Sequence, residues 1–162
     1  MIPKIQNILY ATDLSENSDY AFKYAINSAV QHNAKIHMLH VIEPLSSRGK
    51  AELRNYIEEK ELERLQQKSI EEMFQKVNER LNNFAQQELK DDQEKMKKVA
   101  GIHVVRGDPA AEILKKTEEL GCDIIIMGTH GKGAIGRAFL GSVSERVLRR
   151  IHKPVYIIPL PN

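Results

Sequence analysis

The residues of this chain best suited to chemistry lie between Gly128 and Ser142, in the run GTHGKGAIGRAFLGS. Five of the chain's nine glycines fall there, at positions 128, 131, 133, 136 and 141, beside His130, Lys132, Arg137 and Ser142. An apolar run, Ile124 to Met127, precedes the stretch, and a helix-like pattern, Val143 to Ile151, follows it. A helix N-terminus carries unpaired N–H groups and the positive end of the helix dipole, so it draws anions, phosphate above all. Glycine lets the backbone approach such an anion because no side chain intervenes. Ser142 adds a hydroxyl donor, and Lys132 and Arg137 add positive charge, with His130 a further candidate neighbour. The pattern is a candidate phosphate cradle. A plainer reading stands beside it: Ser142 and Glu145 have capping-box spacing, so the serine could simply cap its own helix.

Two widespread phosphate signatures do not fit. The GxxxxGK[ST] loop fails because Ala134, not lysine, follows Gly133. GxGxxG matches Gly131, Gly133 and Gly136, but that fingerprint belongs after the first strand, where this chain reads ATDLSENS without a glycine. NAD and FAD are set aside on that ground.

Asp13 follows the first strand and either faces a ligand or, with Ser15, caps the first helix. A phosphoacceptor role for Asp13 would want a second aspartate at the end of the third strand, where Arg106 stands. His37 and His40 lie on one strand candidate and could share a face, but a metal would need a third ligand. His32, His103 and His152 are scattered, and no metal ligand set is assigned. No Ser/His/Asp arrangement or water-activating base stands out, so no catalytic residue is assigned. Cys122, the only cysteine, sits just before an apolar strand and reads as an inert core thiol rather than a reactive one.

These residues need elements to hold them. Lys4 to Thr12, Ala34 to Ile42, Val99 to Arg106, Cys122 to Gly128 and Val155 to Ile158 read as strands. Asn17 to Gln31 carries an apolar stripe at helical spacing, with Asn33 as its stop. Asp108 and Pro109 open another helix, which Gly121 ends. The segment Arg48 to Lys98 holds twelve basic and twelve acidic residues, the interspersed charge of a solvated helix surface. Its apolar residues fit either one long helix or two, and Ser69 with Glu72 has the spacing of a helix start. Five strands with four helical connections predict an α/β fold: an open five-stranded parallel sheet with helices on both faces. Ligands of such sheets bind beyond the C-terminal strand ends, where strand order reverses. Asp13 and the glycine stretch both lie at such ends.

The 162 residues suit one domain, residues 1–162, carrying the charged helical segment at about 46–98. A net charge of +2 argues against a dedicated nucleic-acid binder. No apolar run reaches the roughly 18 residues of a membrane span, and no signal peptide is evident, so a cytoplasmic location without membrane contact is expected.

The spacing Gly128, Gly131, Gly141, Ser142 resembles the ATP-binding motif of the universal stress protein family. ILYATDLSENSDYAFKYA, HMLHVIEP, GDPAAEIL, CDIIIMGTHGKG and GSVSERVLRRIHKPVYIIP resemble successive elements of that family, in order and across the whole chain. The resemblance implies an adenine nucleotide alpha hydrolase-like, Rossmann-like fold. It places Asp13 beside the ribose or adenine and the Val41 backbone at the adenine edge. Gly128 and Gly131 would line the ribose and phosphate path, and Gly141 and Ser142 would hold phosphate. It further implies ATP, or ADP or AMP, accompanied by magnesium, and a homodimer formed through the last strand. The charged segment looks long for the family and could cover the site or serve a protein partner. A non-nucleotide scaffold on the same fold is the alternative.

Overall fold

The computed structural model describes residues 1–90, 92–129 and 140–159. Asn7–Ala11 (β1), Lys35–Ile42 (β2), Val99–Arg106 (β3), Ile124–Gly128 (β4) and Val155–Ile158 (β5) form one sheet, all neighbours parallel, in the order β3-β2-β1-β4-β5. The order turns back between β1 and β4: β2 and β3 extend the sheet to one side, β4 and β5 to the other.

Alternation of side chains along the strands gives the sheet two apolar faces. Ile8, Tyr10, Ile36, Met38, Ile124 and Ile126 pack against the helix Glu16–His32 (α1) and the C-terminal half of a long helix, Glu59–Glu88 (α3). Leu9, Leu39, Ile125 and Met127 face the helices Pro109–Glu119 (α5) and Ser142–Arg150 (α6). The expected helix-on-both-faces architecture is therefore observed. The strand edges are shorter than the apolar runs suggest: Lys4 and Cys122 lie outside β1 and β4.

The charged segment between β2 and β3 forms three helices: Ser47–Arg54 (α2), α3 and Gln93–Met96 (α4). Ser69 starts none of them; it lies inside α3. The helix has already begun at Glu59, and pairs such as Arg64–Glu61 and Lys68–Glu72 run along its solvent side. Leu62, Val77, Leu81 and Ala85 are its buried residues. Salt bridges from Arg80 to Asp19 and from Lys23 to Glu88 tie α3 to α1.

Two left-handed residues punctuate the fold where expected. Asn33 (φ 51°) ends α1 and Gly121 (φ 58°) follows α5, each turning the chain into the next strand. The Cys122 thiol is buried, and burial pushes its pKa up to about 11, so it is a protonated core group at neutral pH. Among the described residues no helix is long and apolar enough to cross a membrane.

Candidate functional site

The point where strand order reverses opens into a cleft of about 530 Å³ at the C-terminal strand ends. That size lies within the roughly 300–1,000 Å³ range of small-molecule sites. Asp13, Val41, Gly128, Gly141 and Ser142 all line it. They come from the ends of β1, β2 and β4 and the start of α6, and strand order alone brings them together. Gly131, His130, Lys132 and Arg137 lie outside the described residues.

The α6 side is built from the glycine stretch. Ala11 to Asp13 and Gly128 leave adjacent strands, and Thr129 N–H donates to the Ile158 carbonyl at 3.1 Å, extending the β4–β5 ladder. Gly141 N–H donates to the Thr129 carbonyl at 2.6 Å, so the two ends of the stretch meet. Ser144, nearly fully buried, donates its hydroxyl to the Gly128 carbonyl at 3.0 Å and fixes the first turn of α6 against β4. Gly141 is the N-cap of α6, and among the described residues no side chain caps that helix. Ser142 is the first helical residue rather than the cap, so the capping-box reading of Ser142 and Glu145 is not realised. The Glu145 carboxylate instead accepts from Arg149 one turn on.

The opposite wall is a hydrogen-bonded turn. Ser15 is the N-cap of α1 and accepts from Ser18 N–H at 3.3 Å. Its own N–H and hydroxyl donate to Asp13 Oδ1, at 3.0 and 2.5 Å. The capping role weighed for Asp13 with Ser15 is thus present, with Asp13 acting through the serine while also lining the cleft. Leu14 sits in the left-handed region (φ 64°), held by its N–H to Thr12 Oγ1 at 3.0 Å, and this turn presents Asp13 to the cleft. The Thr12 hydroxyl also bonds the buried Ser18 hydroxyl at 2.7 Å.

The floor is apolar, formed by Leu39, Ile113, Met127 and Val143. His40 and Glu43, neither of them assigned to the site from sequence, are polar lining residues as well. His40 Nδ1 donates to the Thr12 carbonyl at 2.8 Å, tying the end of β2 to the end of β1. His37 and His40 do not share a face. Three residues apart on a strand, they point to opposite sides; His37 instead lies near His103 of β3, with ring centres 5.6 Å apart. Among the described residues no three His, Cys, Asp or Glu side chains converge as a metal site.

Chemically, the cleft joins an apolar slot, a carboxylate, backbone from two strand ends and a helix N-terminus that none of the described side chains caps. It can take a flat apolar group with an anionic tail.

Comparison with known proteins bears on the same elements. The universal stress protein family model matches residues 4–159. Universal stress protein MJ0577 of Methanocaldococcus jannaschii is 34% identical, covering 97% of this chain and 96% of its own. The solved structure of MJ0577 superposes with a TM-score of 0.62 at 30% identity, over 99% of each chain. A universal stress protein solved in complex with cAMP is similar at 21% identity and a TM-score of 0.56, covering 97% of this chain and 98% of its own. One from Archaeoglobus fulgidus, in complex with dAMP, is similar at 15% and 0.52, covering 95% and 97%. With its five parallel strands, its reversal point and a family match that spans β1 to β5, the chain belongs to the universal stress protein family.

Proposed function

We propose that this chain is an ATP-binding universal stress protein, one domain over residues 1–162, acting as a nucleotide-dependent regulator in the stress response. The observation that carries the reading is the N-terminus of α6, capped by none of the described side chains, facing Asp13 across an apolar cleft at the strand-order reversal. Adenine takes the apolar slot between Leu39, Val41 and Ile113, with its edge on the Val41 backbone. Asp13 meets the ribose or adenine. Gly128 and Gly131 follow the ribose and phosphates, and Gly141 and Ser142 hold phosphate, with His130, Lys132 and Arg137 as neighbours. Magnesium accompanies the phosphates, and Asp13 and Ser142 supply the hard oxygen donors such an ion prefers. Universal stress proteins solved with cAMP and with dAMP support an adenine nucleotide as the ligand class. ADP or AMP in place of ATP would use the same contacts.

We also propose a homodimer through β5, with a cytoplasmic location. β5 is an edge strand, and Tyr156 is 40% exposed on it. An exposed edge pairs readily with its own copy. Light scattering at micromolar concentration should give twice the chain mass; a monomer mass would overturn the dimer.

The test of function is direct. Freshly purified protein is denatured and its released adenine nucleotide counted per chain. The emptied protein is then melted with ATP and magnesium. At about 100 times the dissociation constant, bound ATP adds roughly 2.7 kcal/mol of stability. No released nucleotide and no shift would favour the scaffold reading. That reading draws on Tyr56, Leu65 and Phe74, which α3 and its approach leave exposed to a protein partner.

A further inference from the structure

Away from the cleft, the sheet carries a pair of imidazoles with no assigned work. His37 lies near the start of β2. His103 lies on β3, in register with Leu39, so the two histidines are diagonal neighbours across a parallel ladder. Both are on the face shared by Leu39, Val105 and α5. Their ring centres are 5.6 Å apart. His37 Nδ1 and His103 Nε2 are both buried, and among the described residues neither has a hydrogen-bond partner. Buried ring nitrogens are ordinarily satisfied, so two orphans on adjacent strands call for a common explanation.

The explanation lies at Gly101, which pairs with His37 in the ladder. A Cβ placed on Gly101 would sit 3.2 Å from His103 Nε2 and 3.9 Å from His37 Nδ1. Both orphan nitrogens therefore lie within 4 Å of one position, above a residue that has no side chain of its own. Two imidazoles sharing a tetrahedral ion at about 2.0–2.1 Å per nitrogen have ring centres roughly 5 Å apart, close to the separation here. Burial first, then the charge of Lys35 for His37, and the His37 ring and Lys116 charge for His103, lower both pKa values. The rings are thus neutral at pH 7, the form that ligates metal. Lys116 is the cation on the neighbouring helix, and it is itself paired to Glu119 at 2.7 Å.

We infer that His37 and His103, converging over Gly101, form a two-histidine site for a borderline divalent cation of the zinc, nickel or copper class. Imidazole suits these ions, whereas magnesium and calcium prefer oxygen. Two imidazoles fall short of the three or four protein ligands of a built zinc centre, so the ion is held weakly and exchangeably, with water completing the coordination. The site is separate from the nucleotide cleft and its test does not depend on nucleotide.

The experiment titrates Zn²⁺ alone into chelator-treated, nucleotide-free full-length protein and follows the histidine ring ¹⁵N resonances. The expected result is that the His37 and His103 rings respond together, saturating at one ion per chain, with His37 Nδ1 and His103 Nε2 as the ligating atoms. His37→Gln and His103→Gln should each weaken zinc binding about tenfold or more. Gly101→Ala, which keeps both imidazoles, should weaken it too, because its methyl group enters the space the two nitrogens share. Zinc that shifts other histidines instead, or leaves these two rings unmoved, overturns the assignment. So does an unchanged affinity in both folded glutamine variants. The ring resonances of the unmodified protein decide the matter even if a variant fails to fold.

Discussion

Two helices begin at the same end of the sheet, and their first turns are finished in opposite ways. α5 opens on Asp108, whose carboxylate accepts from Ala111 N–H at 3.0 Å and pairs with Arg146 of α6 at 2.7 Å. Pro109 takes the first position, where a missing N–H is harmless. That helix end is closed by its own chain. α6 opens on Gly141, which has no side chain with which to close anything. Each uncapped helix start leaves donors that must find a partner. The neighbouring helix starts at Ser15 and Asp108 are capped by their own side chains, whereas among the described residues no side chain caps α6, and under the proposed function that open start is where phosphate binds.

The sharpest way to break this comparison is to put a side chain on the open end. Gly141→Val should weaken ATP binding by at least about tenfold, since the branched side chain stands where phosphate would meet the backbone. Valine is a poor N-cap but replaces a residue that makes no side-chain bond, so folding stability should fall by only about 1 kcal/mol. Labelled-ATP binding and thermal melts on the same preparation separate the two effects. ATP held as tightly as by the parent would mean that α6 is not the phosphate site.

The converse substitution treats the closed end. Asp108→Ala removes a working N-cap and the link to Arg146, at a cost of about 1 kcal/mol in stability. ATP affinity should stay within about twofold, because Asp108 belongs to the helix that needs no ligand. The Ala111 N–H, and then the Arg146 guanidinium, hold the Asp108 carboxyl below the usual carboxylate value. A depressed folded pKa stabilises above the unfolded pKa of about 3.9 and loses that contribution as pH falls through the folded value. The stability gap between parent and Asp108→Ala should therefore be constant near neutrality and close below pH ~4. Chemical denaturation across that range measures it, and a gap that persists in acid would show that the carboxylate charge is not what caps α5.

How far the sequence foretold this contrast depends on which interactions are local. Asp108 with Pro109, Asn33 and Gly121 were legible because each acts on backbone within a few residues. The strands were legible because both faces of the sheet are buried, which leaves runs such as Ile124 to Met127 unbroken. Ser69 misled because a local capping pattern says nothing of a helix already under way from Glu59. His40 and Glu43 were not recognised as cleft residues, since their place depends on β2 lying beside β1 and on where β2 ends. The meeting of His37 with His103 is likewise a matter of ladder register across sixty-odd residues of intervening chain. Periodicity does not encode it.

The finest test lies between two serines one helical step apart in role. Ser142 and Ser144 both sit in the first turn of α6 and both line the cleft. Ser144 is 3% exposed and its hydroxyl is committed to the Gly128 carbonyl. Ser144→Ala should therefore lower stability by about 1 kcal/mol, the net value of one hydrogen bond, and touch ATP affinity only through the position of α6. Ser142→Ala removes a hydroxyl assigned to phosphate. It should leave stability within about 0.5 kcal/mol and weaken ATP binding by roughly threefold to tenfold, the range of a single ligand hydrogen bond. Paired melts and titrations on the two variants would show whether the effects cross in this way. If Ser142→Ala costs stability and spares ATP, the serine is a structural cap after all, and the open end of α6 rests on Gly141 alone.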